Sequence, residues 1–304
     1  MSVKRVPLSK TGPELSEIAF GTWRILDGDV PSPSELADRI RTGVEHGITT
    51  LDTAEIYGLY EVERALGEAL ATDTSLRDSI EIITKCGIDV PSDEKSSAQL
   101  PHYNATAQNL MASAEKSLKL LGVEQIDLML VHRPDWFTSA EETARGLNEL
   151  VKSGKVAHVG VSNYTWHQFE LLDSMVESPL VTNQVEVNLF NMDALYDGTL
   201  AQCEQKGIRP MAWSVLGGGR FFEMDEGEVI RIREVCAGIR DKYDGASDEA
   251  LATAWVMNHP SRPLAITGSN KTDRIIDQAQ ATNIKLDRQD WYALWSAAKG
   301  CPVP

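Results

Sequence analysis

Three polar side chains stand where apolar runs end: Asp52 after Ile-Thr-Thr-Leu, Lys85 after Ile-Glu-Ile-Ile-Thr, and His132 after Ile-Asp-Leu-Met-Leu-Val. Tyr57 lies five residues beyond Asp52. Each alone is unremarkable, since a lone Lys at a strand end is ordinarily solvated and a lone His is ordinarily structural. Together they make a set suited to acid catalysis on a carbonyl. A phenol with a reference pKa near 10 donates its proton reluctantly, and a neighbouring ammonium lowers that barrier. Lys85 is the expected ammonium, and Asp52 keeps it charged by pairing with it. His132 is expected to orient the carbonyl oxygen and help donate to it.

These residues need elements that bring them together across 80 positions of sequence. Strands are predicted near 18–20 (ending at Gly21-Thr22-Trp23), 48–52, 80–85, 126–132, 156–162, 181–185, 209–213 and 264–267. Helical patterns fall near 34–46, 60–71, 110–121, 140–152, 165–175, 194–206, 246–258 and 272–281. Eight strand-then-helix units predict an α/β fold of the (β/α)8 TIM-barrel type. In it Asp52, Lys85 and His132 close the second, third and fourth strands at the catalytic mouth. A short N-terminal hairpin around Lys10-Thr11-Gly12 precedes the barrel, and an extra C-terminal helix near 288–299 packs outside it. The rival architecture is a doubly wound open sheet, but no GxGxxG follows the first strand. No linker or low-complexity tract divides the chain, so residues 1–304 are expected to form one domain.

Composition narrows the function classes. With 42% hydrophobic and 24% charged residues the chain is ordinary for a globular protein. It has no run approaching the roughly 18 apolar residues of a membrane span, and no secretory h-region follows its start. A cytoplasmic location is expected. The net charge of −16 argues against nucleic acid or anionic lipid as a partner. Cys86, Cys203, Cys236 and Cys301 lack metal-binding spacing, no His-x-His closes a strand, and the six histidines are dispersed. No metal is expected, and a metal-dependent barrel hydrolase is excluded on inventory. Trp23, Ile56, Trp136, Phe221 and Phe222 are aromatic or apolar residues in mouth loops and are the expected substrate pocket. The polar loop 88–104 is expected to shape specificity.

Three stretches carry a family resemblance. They are Gly47-Ile-Thr-Thr-Leu-Asp52-Thr-Ala-Glu-Ile-Tyr57-Gly with Glu63-Arg-Ala-Leu-Gly67, the run from Ser113 through Gly122 and Asp127 to His132, and Ile266-Thr-Gly-Ser-Asn-Lys-Thr-Asp-Arg274-Ile. On these the chain resembles the aldo-keto reductases over nearly its whole length, in particular bacterial members described as general oxidoreductases with compact loops. The resemblance implies reduction of small aldehydes or ketones with NADP (NADPH) as cofactor, NAD being less favoured. Tyr57 is then the proton donor, Lys85 and Asp52 tune it, and His132 contacts the substrate oxygen. It further implies that the cofactor lies across the barrel mouth without a Rossmann fold. Gly21, Thr22, Trp23 and Asp52 would border it, and Ser162, Asn163 and Gln184 would hold the carboxamide. Trp213 would stack on the nicotinamide, and Ser214-Val215-Leu216-Gly217 would wrap the pyrophosphate. Gly268, Ser269, Lys271 and Arg274 would meet the 2′-phosphate, and Gln278 the adenine. Gly268 departs from the family, which often has Lys there, so 2′-phosphate recognition falls on Lys271 and Arg274. The implied protein is a monomer with an open, broadly accepting pocket. Two alternatives stay open: an NAD(P)-dependent sugar or polyol dehydrogenase working in the oxidative direction, and a non-catalytic NADPH-binding regulatory subunit. The complete tetrad speaks against the second.

Overall fold

Eight short parallel strands close on themselves: β1 (Ile18–Gly21), β2 (Thr50–Asp52), β3 (Glu81–Cys86), β4 (Ile126–Val131), β5 (Val156–Ser162), β6 (Asn183–Glu186), β7 (Met211–Trp213) and β8 (Leu264–Thr267). Each pairs with its sequence neighbour, and β8 returns to β1 through Ala265↔Ile18 and Thr267↔Phe20, which completes the barrel. This computed structural model describes residues 2–223 and 227–304.

The barrel interior is filled rather than hollow. Ala19, Ile83, Leu128, Leu130, Met211, Leu264 and Ile266 form one buried cluster, as expected where inward positions of successive strands stack in layers. Leu8 and Leu15 belong to the same cluster. They flank the predicted hairpin, Arg5–Pro7 paired with Glu14–Ser16, so the hairpin plugs the end of the barrel at which the strands begin. The opposite end is left for chemistry.

Helices cover the outside, and most begin where a hydroxyl or carboxylate can satisfy the first free N–H groups. Ser32, Thr106, Ser139, Thr165, Ser247 and Asp287 each accept a hydrogen bond from the backbone three residues on, a contact worth about 1 kcal/mol per cap. Glu63 is buried between β3 and two helices, Val62–Thr72 and Ala107–Leu121. It accepts from the hydroxyls of Thr84 (2.5 Å) and Ser117 (2.9 Å), and burial pushes its carboxyl up to about 7.

Several elements differ from the sequence expectation. The helix expected near 60–71 starts at Val62, because Gly58, Leu59 and Tyr60 all take positive φ in a tight turn after Tyr57. The helix expected over 194–206 is two pieces, Asp193–Tyr196 and Thr199–Lys206, broken at Gly198 with φ 93°. The helix Gly227–Ile239 was not expected at all. Its buried face, Val229, Ile232, Cys236 and Ile239, has helical spacing, but Gly227, Gly238 and the exposed Ile230 weaken the pattern. It packs beside the C-terminal helix Arg288–Lys299, where Arg231 Nε donates to the Ala297 carbonyl at 2.8 Å. That C-terminal helix does lie outside the barrel. Trp291 stacks on Trp255 of the helix Asp248–Met257, centroids 4.8 Å apart, and each indole N–H donates to the other residue's carbonyl. Loop 88–104 carries a two-residue antiparallel pair, Ile88–Asp89 with His102–Tyr103.

Candidate active site

At the ends of the strands opposite the hairpin lies a cavity of about 920 Å³. The parallel register delivers side chains to it: Asp52 is the last residue of β2, Lys85 the penultimate residue of β3, and His132 the residue just after β4. Lys85 is fully buried behind the cavity wall. Its ammonium donates to Asp52 Oδ2 (2.8 Å), to the Thr53 carbonyl (2.8 Å) and to the Tyr57 hydroxyl (3.1 Å). All three ammonium protons are therefore used. Asp52 Oδ1 accepts from Gln184 Nε2 at 2.7 Å, so both carboxylate oxygens are held.

Burial lowers the Lys85 pKa, but Asp52 and Tyr57 beside it outweigh that and hold it above its ordinary value. Lys85 is therefore a fixed cation. His132 is pushed well below its usual value of 6.5, first by burial and then by the charges of Lys85 and Arg133, and is neutral near pH 7. Among the described residues its Nδ1 has no hydrogen-bond partner, and its ring meets Tyr57 edge-on at 5.9 Å. Tyr57 departs from the sequence argument. Burial raises its pKa above 10 and outweighs the lowering by Lys85, with Asp52 also raising it. With nothing bound, the hydroxyl keeps its proton. The site thus presents a protonated phenol, a neutral imidazole and a buried ammonium around one point.

The wall beyond these four is mostly built from the expected residues. Gly21, Trp23, Ile56, Ser162, Asn163, Gln184, Trp213, Ser214, Val215, Leu216, Phe222, Gly268, Ser269, Lys271, Arg274 and Gln278 all line the cavity. Asn163 takes φ 60° and Ser214 φ 52°, left-handed conformations that cost energy for these residues and cluster at functional sites. Asn163 Nδ2 donates to the His132 carbonyl (3.2 Å) and Ser162 Oγ (2.9 Å), while its Oδ1 accepts the Trp213 indole N–H (3.2 Å). Trp213 is thereby tethered as well as offering a ring face. Gly217, Gly218 and Gly219 all have positive φ, and a Cβ on Gly217 would lie 2.4 Å from Phe190, so the turn requires glycine there. The helix Thr272–Ala279 starts at Lys271 without a side-chain cap. Its free N–H groups, with the exposed Lys271 and Arg274, can receive an anion. The Thr267 hydroxyl donates to Gln278 Oε1, so Gln278 is tied to β8 through that oxygen.

Some expected residues lie elsewhere. Phe221 is fully buried, packed edge-on against Phe190 and Phe222 with the Arg233 guanidinium over its ring at 4.7 Å. It is core rather than pocket, because the glycine turn rotates it inward and leaves Phe222 on the wall. Trp136 is 84% exposed and meets Tyr103 of loop 88–104 edge-on at 5.8 Å. It does not line the cavity. Thr22 is buried and donates its hydroxyl to the Asp52 carbonyl at 3.0 Å, a supporting contact rather than a wall position. Gly217 likewise shapes the turn from outside the wall.

Arg24, Arg133 and Asn270 are among the wall residues that the sequence reading did not assign, as are Asp27, Leu59 and Glu249. Arg24 lies over the Trp23 ring at 5.1 Å, and Asn270 Nδ2 donates to its carbonyl at 2.6 Å, linking the loops after β1 and β8. Adjacency to Trp23, His132 and Ser269 was the available signal.

Comparison with known proteins places the chain in a family and matches its barrel fold. The Aldo/keto reductase family model matches residues 17–299. A 6-dehydroglucose reductase of Agrobacterium fabrum is 42% identical over 290 residues, covering 95% of this chain and 96% of that protein. The oxidoreductase YdhF of Escherichia coli is 41% identical over 302 residues, covering 99% and 100%. Among solved structures, a thermostable aldo-keto reductase in complex with the inhibitor epalrestat superposes with a TM-score of 0.80 at 27% identity, covering 97% of this chain and 99% of that one.

Proposed function

The chain belongs to the aldo/keto reductase family of oxidoreductases, and from that premise we propose that it reduces small aldehydes and ketones to alcohols with NADPH, Tyr57 supplying the proton. The observation that carries the reading is the Lys85 ammonium, bonded at once to Asp52 and to the Tyr57 hydroxyl beside a neutral His132. The 42% identical relative named a 6-dehydroglucose reductase supports the reductive direction.

A nicotinamide cofactor held in this cavity would supply the hydride that the carbonyl carbon accepts. The chain's own residues do the rest. His132, neutral, donates from its Nε2–H to the carbonyl oxygen and fixes its position. Tyr57 gives its proton to that oxygen as negative charge builds, and the phenolate left behind rests against the Lys85 ammonium. Asp52, held by Lys85 and Gln184, keeps the ammonium charged. Solvent then returns the proton to Tyr57. Ser162, Asn163 and Gln184 would hold the carboxamide, and Trp213 would offer its ring face to the nicotinamide. The turn from Ser214 to Leu216 would face the pyrophosphate, with Gly21 and Trp23 on the opposite rim. Ser269, Lys271 and Arg274 would take the 2′-phosphate at the uncapped helix start, and Gln278 would meet the adenine. Trp23, Ile56 and Phe222 form the apolar side of the substrate space.

Tyr57→Phe tests the assignment. Turnover of NADPH with 4-nitrobenzaldehyde is expected to fall by at least about 10²-fold, the scale of a lost general acid, while NADPH affinity by fluorescence titration is retained. Retained turnover would remove Tyr57 from the role.

A further inference from the structure

We propose that Arg133 selects carbonyl substrates bearing a second, anionic group such as a carboxylate, and that its guanidinium is the receptor for that group. This rests on the reductase reading above.

Arg133 follows His132 directly and lines the cavity, with its guanidinium 6.0 Å from the centroid of the Trp213 ring. Among the described residues it has no ion pair and no hydrogen bond. What sets it apart from the other cations on this wall is its place, next in sequence to His132 and beside Trp213. Several acids near it in sequence or on the same wall are otherwise engaged. Asp135, two residues on, accepts from the Ala105 and Phe137 N–H groups (2.9 Å each) and the Thr138 hydroxyl (2.5 Å). Asp52 is held by Lys85 and Gln184, and Glu249 on the same wall faces Arg233 at 3.7 Å.

A half-buried guanidinium with five donors and no acceptor is costly unless something fills the fork. A planar carboxylate fits it bidentately. The charge also acts on the reacting groups, since Arg133 pulls down the pKa values of both Tyr57 and His132. Its field therefore reaches the place where the carbonyl must sit. A substrate whose anionic group met Arg133 would hold its carbonyl near Tyr57 and His132.

The test compares 4-carboxybenzaldehyde with its methyl ester, using NADPH, in wild type, Arg133→Met and Arg133→Lys. The ester withdraws electrons more strongly and is the more reactive carbonyl, so a preference for the acid does not come from intrinsic reactivity. In the wild type kcat/KM for the acid is expected to exceed that for the ester by at least about 10-fold, the worth of a charge-assisted hydrogen bond. The difference should lie mainly in KM and shrink with added salt. Arg133→Met should bring the ratio close to one, and Arg133→Lys should keep part of it. A wild-type ratio near one, or a ratio untouched by Arg133→Met, overturns the proposal while leaving the reductase reading standing. Equilibrium binding of 4-carboxybenzaldehyde by calorimetry separates the converse case. Binding that depends on Arg133 without turnover of either aldehyde would sustain the anion receptor and remove the reductase reading.

Discussion

At the scale of single residues, Tyr57 shows how burial and charge compete. An ammonium 3.1 Å away favours the phenolate, yet removing the hydroxyl from water disfavours it more, so the pKa rises. His132 moves the opposite way for the same cause, because burial disfavours its charged form. Both shifts keep the site in one protonation state across the neutral range. The log of kcat/KM for carbonyl reduction is therefore expected to be flat from about pH 6 to 9, with no inflection at the ordinary histidine value near 6.5, and to fall only on the alkaline side as Tyr57 loses its proton. A pH–rate profile measures this, and a step near 6.5 would show that His132 titrates in the working enzyme. The four polar residues were legible from the sequence because strand ends can be read from apolar runs. The sign of the Tyr57 shift was not, since it depends on how completely surrounding side chains exclude water. Arg133 was invisible for a related reason: its interest is the partner it lacks.

At the scale of elements, the site depends on helices that approach closely enough to hold short strands in register. Gly67 makes this plain. A Cβ there would lie 1.8 Å from the Leu120 carbonyl oxygen, at the end of the helix Ala107–Leu121. Backbone cannot step aside as a flexible side chain can. Gly67→Ala is expected to destabilise the fold by at least about 2 kcal/mol, overpacking outweighing the gain in helix propensity of about 1 kcal/mol. Gly238, inside the helix Gly227–Ile239, has nothing within 4 Å of its would-be Cβ. Gly238→Ala should stabilise by about 0.5–1 kcal/mol. Thermal melts of the pair are expected to shift in opposite directions, and a tolerated Gly67→Ala would mean that the two helices can separate without loss. All eight strands were legible within a few residues, because short apolar stretches recur between helical patterns at the spacing of strand–helix units. What the sequence hid were left-handed turns at non-glycine residues, as at Leu59 and Tyr60, and the helix Gly227–Ile239, whose apolar face is interrupted by Ile230.

At the scale of the whole molecule, the barrel solves a placement problem. Closure through β8 and β1 brings the loop after Trp23 against the loop after Thr267, joining residues nearly 250 positions apart on one rim. That closure follows from counting eight strand–helix units, so the architecture was the most legible feature of the chain. The distribution of charge was less so. A net charge of −16 suggests a surface hostile to anions, yet on the wall of one cavity Arg24, Arg133, Lys271 and Arg274 outnumber Asp27, Asp52 and Glu249. A locally cationic mouth on an acidic body suits a cofactor carrying phosphates, and the additional phosphate of NADPH should profit most from it. The measurement that tests this account most directly is the rate of cofactor oxidation by the wild-type protein with 4-nitrobenzaldehyde, NADPH run beside NADH. The account predicts turnover with NADPH and a kcat/KM at least about 10-fold higher than with NADH, as expected for a paired phosphate charge. Turnover with neither cofactor, while NADPH still binds, would contradict it.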